Sequence, residues 1–128
     1  MIAVDTNILV YSHREDSAFY IPSFKAVKTL AESGMLWSIP WPAIHEFLAI
    51  VTHPGIYTPP TPLDDALIQV KKWLDCPSFT TIGEPESFYF RYLEHILKTS
   101  QVHGPRIHDA RIAAICLAHG VEELWSAD

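Results

Sequence analysis

The sequence has little of what would mark a membrane, secreted or disulfide-linked protein. No apolar run approaches the ~18 residues of a membrane span, and the N-terminus lacks the basic stretch and cleavage site of a signal peptide. The chain has only two cysteines, Cys76 and Cys116, and they are far apart, which predicts reduced thiols rather than a disulfide. We therefore expect a cytoplasmic protein without membrane contact.

Positive charge is also scarce. Nine Lys and Arg residues stand against fifteen Asp and Glu residues, for a formal net charge of −6. A generic nucleic-acid binder usually presents a basic footprint, so the composition counts against that class. A length of 128 residues with 48% hydrophobic residues predicts one globular domain spanning positions 1–128.

Predicted strands and helices alternate along the chain. The strands are expected at residues 2–4, 36–39, 79–82 and 121–125. The helices are expected from about residue 17 or 22 to 33, and at 42–52, 61–75, 85–99 and 107–119. This alternation predicts an α/β fold with a parallel sheet and right-handed crossovers. Ligands of such sheets bind at the carboxyl ends of the strands.

Four acidic residues occupy positions where a catalytic or metal-binding role can be considered. Asp5 and Asp128 follow the first and last predicted strands, Glu46 lies in the middle of a helix, and Asp109 lies in a first helical turn. The neighbours of Glu46 are mostly apolar, which predicts a partly desolvated carboxylate. Each acid also has a purely structural explanation: a turn, a buried ion pair, a helix-dipole contact or a frayed terminus.

If the four acids share one pocket, a functional explanation is favoured over the separate structural ones. Four carboxylates gathered in one place repel each other, and a divalent cation removes that penalty. Oxygen ligands without cysteine or histidine suit Mg²⁺ or Mn²⁺ better than Zn²⁺. Such ions serve phosphoryl-transfer chemistry.

Three segments carry a resemblance to a known family. VDTNILVY, HEFLAI and IHDARIAAICLAHGVEELWSAD resemble the three motif regions of PIN domains, and are most similar to those of VapC toxins from bacterial toxin–antitoxin pairs. The resemblance implies an α/β/α sandwich that hydrolyses RNA with Mg²⁺ or Mn²⁺ and leaves 5′-phosphate and 3′-hydroxyl ends. It also implies a homodimer and a VapB-type antitoxin that blocks the acidic pocket.

The resemblance assigns roles to individual positions. The catalytic and metal-binding acids that it implies are Asp5, Glu46, Asp109 and Asp128. The polar supporting residues that it implies are Thr6, Asn7 and Ser126. Arg14 is our candidate for contact with the RNA that the resemblance implies, because it follows the first motif closely; a solvated surface arginine is the alternative.

Some alternatives stay open. PIN-domain chains commonly continue beyond the segment that ends here at Asp128, so a C-terminal tail is expected to be missing or the sequence to be shortened. A non-catalytic PIN-like binding module is the main rival function. A receiver domain is disfavoured because Asp5 has no neighbouring acid, and a phosphatase is disfavoured because position 7 is Asn rather than the second Asp of D-x-D.

Overall fold

A four-stranded parallel sheet forms the centre of the protein. The computed structural model describes residues 1–85 and 88–127, and within them the strands are β1 (Ile2–Val4), β2 (Trp37–Pro40), β3 (Phe79–Ile82) and β4 (Glu123–Trp125). Their order across the sheet is β3-β2-β1-β4, and every pairing is parallel. Strand β1 is therefore central, and the residue that follows it emerges in the middle of the sheet edge.

Helices connect the strands, as parallel pairing requires. Within the described residues they are α1 (Thr6–His13), α2 (Tyr20–Glu32), α3 (Trp41–Val51), α4 (Leu63–Leu74), α5 (Tyr89–Thr99) and α6 (Ile107–Ala118), with a short 3-10 turn at Gly104–Arg106. Helix α1 packs on α2 and α3, α3 packs on α4, and α5 packs on α6. The predicted α/β/α architecture is confirmed, and none of the described helices is long and apolar enough to span a bilayer.

Helix α1 is the element that the sequence prediction missed. The chain turns from β1 directly into this helix at Asp5, whose extended backbone and side chain form the N-cap. The apolar run Ile8–Val10 is rich in β-branched residues, so it carries no clear helical signal. Inside the fold, Leu9 and Val10 are buried against the core. Tertiary burial therefore decides the conformation of this segment.

The core holds the carboxyl ends of the strands and helix α3 in one rigid unit. Trp37 of β2 and Phe47 of α3 are its largest fully buried side chains. Phe47 also meets Trp73 of α4 edge-on, with ring centroids 4.9 Å apart at an interplanar angle of 67°. Aromatic pairs of this kind contribute roughly 0.5–1.5 kcal/mol beyond their buried area. Helix α3, which carries Glu46, is thereby packed between β2 and its neighbouring helices α1 and α4.

Candidate active site

An acidic cavity of about 290 Å³ opens at the carboxyl end of β1. Three of the predicted acids line it: Asp5 from the strand end, Glu46 from the middle of α3, and Asp109 from the first turn of α6. Among the described residues, no Lys or Arg contributes to the lining. The fold therefore brings three carboxylates to one cavity whose described lining contains no Lys or Arg.

Asp5 is held at both its backbone and its side chain. Its N–H donates to the Trp125 carbonyl at 2.9 Å, which extends the β1–β4 pairing by one residue. Its Oδ1 accepts a hydrogen bond from the Thr6 N–H at 2.7 Å. A carboxylate that caps a helix is fixed in direction and also lies in the favourable field of the helix N-terminus.

Glu46 is solvent-exposed, so the expectation of a partly desolvated carboxylate is wrong. The apolar neighbours that suggested burial, such as Ile44 and Phe47, point into the core, whereas Glu46 points to the open cavity. The Thr6 hydroxyl, on a residue only 6% exposed, donates to Glu46 Oε2 at 3.1 Å. Thr6 thus contacts both Asp5 and Glu46, one through its backbone and one through its side chain.

Asn7 joins the two segments that leave the neighbouring strands β1 and β4. Its Oδ1 accepts from the Ile8 N–H at 2.8 Å and from the Ala127 N–H at 3.1 Å. Its Nδ2 donates to Ser126 Oγ at 3.3 Å. These contacts fix the chain that follows β4 beside the cavity rim. Asp128 lies outside the described residues, so its place in the site stays a prediction.

Asp109 is exposed in the first turn of α6, where the helix dipole favours an acid. The cation nearest to it in sequence, Arg111, forms an ion pair with Glu84 after β3. The Glu84 hydrogen bond, with a smaller contribution from the Glu46 charge, raises the pKa of Arg111. Arg111 is thus engaged by Glu84 and does not line the cavity.

Cys116 lies buried near Asp5, and its thiol is expected to be unreactive. Burial, together with the negative charge of Asp5, raises the pKa of its thiol to about 11. A thiol with that pKa stays protonated at neutral pH, and the thiolate is the form that acts as nucleophile or metal ligand. The chemistry of the cavity therefore rests on oxygen atoms.

The donor set fits a hard divalent cation. Within residues 1–85 and 88–127, no three His, Cys, Asp or Glu side chains form a ready-made group that could hold a metal ion. Mg²⁺ does not require such a cage, because it keeps several waters and commonly binds proteins through one or two carboxylates. Asp5, Glu46 and Asp109 supply the ligand type that this ion prefers, in a cavity with room for its waters.

Arg14 lies outside the lining of the acidic cavity. Its Nε and Nη2 donate to the two carboxylate oxygens of Asp16 at 2.9 and 2.6 Å, and its Nη1 donates to Thr61 Oγ1 at 3.2 Å. The side chain is only 12% exposed. Direct contact between Arg14 and RNA stays a prediction, and this geometry gives it no support.

Fold and site together define an α/β protein with a strand-edge carboxylate cavity suited to a divalent cation. The chain is 26% identical over 125 residues to ribonuclease VapC48 of Mycobacterium tuberculosis, covering 97% of this chain and 85% of that protein. It is 28% identical over 128 residues to VapC ribonuclease Mb2897 of Mycobacterium bovis, covering 100% and 86%. No family model matches the chain.

Solved structures share the fold. The crystal structure of M. tuberculosis VapC20, described as a Sarcin-Ricin loop cleaving toxin, superposes with a TM-score of 0.71 at 12% identity, over 100% of this chain and 90% of that one. VapBC2 of Rickettsia felis, bound to a DNA fragment from its promoter, gives a TM-score of 0.65 at 19% identity, over 100% and 89%. The resemblance to PIN-domain, VapC-type proteins predicted from the sequence is confirmed.

Proposed function

We propose that this protein is a Mg²⁺- or Mn²⁺-dependent endoribonuclease that acts in the cytoplasm as the toxin of a toxin–antitoxin pair. The single observation that carries the proposal is the cavity lined by Asp5, Glu46 and Asp109, with no Lys or Arg among its described lining residues. The names of the relatives and of the structural neighbours point to the same activity. Asp128 is the fourth acid in this proposal.

The mechanism assigns roles to four residues that line the cavity: Asp5, Thr6, Glu46 and Asp109. A bound Mg²⁺ or Mn²⁺ would lower the pKa of a water and neutralise the charge that develops on the phosphate oxygens. Asp5, Glu46 and Asp109 would offer carboxylate oxygens to the ion, and Thr6 fixes the direction of the Glu46 carboxylate. In the hydrolysis the water oxygen bonds to phosphorus and the P–O3′ bond breaks. The water gives up one proton to solvent, and the 3′-oxygen takes one up from solvent to leave as a hydroxyl.

The proposal includes protein partners. A VapB-type antitoxin is the expected partner, which the VapBC2 complex among the structural neighbours supports. That the antitoxin covers the cavity is an expectation from the family resemblance alone. A homodimer is expected from the family resemblance. Size-exclusion chromatography with light scattering, on the chain alone and co-expressed with a basic antitoxin segment, measures both.

The test is RNA cleavage by the purified chain. We expect total RNA to be cut with Mg²⁺ or Mn²⁺, and the products to carry 5′-phosphates. EDTA should abolish the activity, and Asp5→Asn should lower it by orders of magnitude, since the neutral amide is a poor ligand for Mg²⁺. Glu46→Gln should also lower the activity. Glu94→Gln is its matched control and should not, because both are exposed glutamates within helices and only Glu46 lines the cavity.

Three outcomes would overturn the proposal. Cleavage that persists in EDTA, or that Asp5→Asn leaves at the wild-type rate, would exclude the metal-dependent mechanism. A folded wild-type chain that cuts no RNA with either ion would favour the non-catalytic binding module. Circular dichroism and thermal melting of each variant establish that it is folded.

A further inference from the structure

Two aromatic side chains share the cavity with the acids, and the proposed mechanism leaves both unused. Tyr11 of α1 and Tyr57 of the loop between α3 and α4 line it, together with the apolar side chains of Val10, Ile50 and Ile112. The cavity therefore combines acidic side chains suited to a cation with aromatic and apolar side chains suited to a flat, weakly polar group. A nucleotide presents the matching pair of groups in its phosphate and its base.

The Tyr57 ring is unusually well fixed for a residue in a proline-rich loop. The guanidinium carbon of Arg14 lies 4.3 Å from the ring centroid, a cation–π contact. Arg14 lines a separate depression with Asp16 and Thr61, so it contacts the ring from outside the acidic cavity. Asp16 holds the guanidinium through two hydrogen bonds, and this fork-like pairing fixes its plane.

The backbone of the loop is anchored at both sides of the tyrosine. The His53 carbonyl accepts from the N–H groups of Ile56 and Tyr57, both at 3.1 Å. Farther along, the Thr61 N–H donates to the Val51 carbonyl at 2.7 Å, and the Thr61 hydroxyl meets Arg14. The ring also packs on the edge of the hydrophobic core. Its position at the cavity is therefore set before any ligand arrives, which lowers the entropy lost on binding.

We propose that Tyr57 stacks against a nucleobase next to the scissile phosphate of single-stranded RNA, and that Arg14 is a positioning residue that holds the Tyr57 ring in place. This inference rests on the proposed ribonuclease function and extends it to the substrate. Unpaired bases stack readily on aromatic side chains, and this kind of binding tolerates any sequence because every base has a flat face.

The charge distribution favours stacking over phosphate contacts at this place. The guanidinium of Arg14 is already paired with Asp16, so a phosphate would have to compete with a bound carboxylate. Stacking needs no positive charge, and a neutral ring suits a cavity lined by three acids. Burial, with a smaller effect of the Asp16 charge, raises the pKa of the Tyr57 phenol, which therefore stays neutral at physiological pH.

Binding of a short fluorescein-labelled single-stranded RNA of mixed sequence tests the inference by anisotropy, with Ca²⁺ replacing Mg²⁺ and strand integrity checked on a gel. We expect Tyr57→Ala to weaken binding by roughly 5- to 150-fold, the range for loss of one base–aromatic stack. Tyr57→Phe keeps the ring and should bind within about twofold of wild type. Tyr92→Ala is the matched control, since Tyr92 is an exposed tyrosine on α5 outside the cavity lining.

A second series separates stacking from a general loss of structure. The same RNA is prepared as a fully abasic strand, which keeps every phosphate and offers no base in any register. Wild type should bind this strand more weakly than the intact RNA, and Tyr57→Ala should bind the two strands with similar affinity. Abasic sensitivity that survives in Tyr57→Ala, or wild-type affinity of this variant for intact RNA, overturns the inference.

Arg14→Gln tests the positioning role. We expect it to weaken RNA binding in the wild-type background and to add nothing in the Tyr57→Ala background, because it acts through the ring. An equal loss in both backgrounds would mean that Arg14 contacts RNA itself and would overturn the positioning role. A wild-type chain that neither binds nor cuts RNA overturns the proposed function. If wild type cuts RNA and Tyr57→Ala binds and cuts it equally well, only this inference is overturned.

Discussion

Thr6→Val is the substitution that tests most directly whether the polar residues of the first motif organise the acids. It removes the hydroxyl that donates to Glu46 Oε2 at 3.1 Å but keeps the shape of the side chain and the backbone N–H bound to Asp5. Hydrogen bonds to charged groups contribute about 1.5–3 kcal/mol. Glu46 is exposed and water can replace the hydroxyl, so we expect about 1 kcal/mol in this case.

The loss of this hydrogen bond should change the dependence of RNA cleavage on Mg²⁺ concentration. An ill-directed Glu46 carboxylate is a weaker ligand, so about 1 kcal/mol corresponds to a roughly fivefold higher Mg²⁺ concentration for half-maximal cleavage. At saturating Mg²⁺ the rate should recover. The assay is cleavage of a short RNA across a Mg²⁺ titration, and the free energy of unfolding from urea melts should change by less than about 1 kcal/mol.

The control is the same substitution elsewhere. Thr52→Val, at the end of α3, removes a hydroxyl that donates to the Leu48 carbonyl at 2.6 Å away from the cavity lining, and it should leave the Mg²⁺ dependence unchanged. A double-mutant cycle with Glu46→Gln completes the test, because Thr6→Val should have little effect once the carboxylate is gone. A wild-type Mg²⁺ titration for Thr6→Val, or full additivity in the cycle, would refute the reasoning.

Two further predictions follow from paired residues. Asp109→Asn should lower the rate of RNA cleavage by at least tenfold. Asp64→Asn is the control, because both acids lie in first helical turns, and it should leave the rate unchanged. Equal rates for the two variants would contradict a metal-binding role for Asp109. Burial lowers the pKa of His13, so the unfolded chain binds a proton more readily and the free energy of unfolding should fall as pH drops from about 7 to 5. His13→Gln should flatten that fall in urea melts, whereas His95→Gln, at an exposed position, should not.

The position of Asp5 could be predicted from the sequence because two simple rules act on it. A short apolar run at the chain start predicts a buried strand, and a parallel α/β sheet places functional residues at the carboxyl ends of its strands. The structure has β1 in the interior of the sheet and Asp5 directly after it in the cavity lining, whereas a catalytic role for Asp5 stays a prediction. No feature of the sequence beyond this local pattern was needed.

Glu46 and helix α1 show where local patterns fail. The neighbours of Glu46 predict burial only if its helix is enclosed on every side, and the sequence does not say that one side of α3 faces an open cavity. In α1 the local pattern fails for secondary structure rather than for burial. The run around Leu9 and Val10 carries no clear helical signal by itself, but packing in the core holds it as a helix. The Asp5 N-cap was the signal that could have revealed this helix.

Asn7 illustrates a third kind of information, which depends on distant parts of the chain. Its partners Ser126 and Ala127 are about as far from it in sequence as the chain allows. The family resemblance marks Asn7 and Ser126 as supporting residues, but it does not say that they bond to each other. That contact exists only because β4 pairs with β1, which periodicity within either segment cannot specify.

The low number of basic residues, which first argued against RNA as a ligand, is compatible with the proposed site. A nuclease needs positive charge where the scissile phosphate lies, and a bound divalent cation among Asp5, Glu46 and Asp109 would supply it there. The rest of the strand can be held by stacking on Tyr57, which contributes affinity without counterion release. Binding that depends on these two elements should be less sensitive to salt than binding through a basic groove. In this proposal Arg14 can be paired with Asp16 and still affect RNA binding, because its charge acts on the Tyr57 ring rather than on a phosphate.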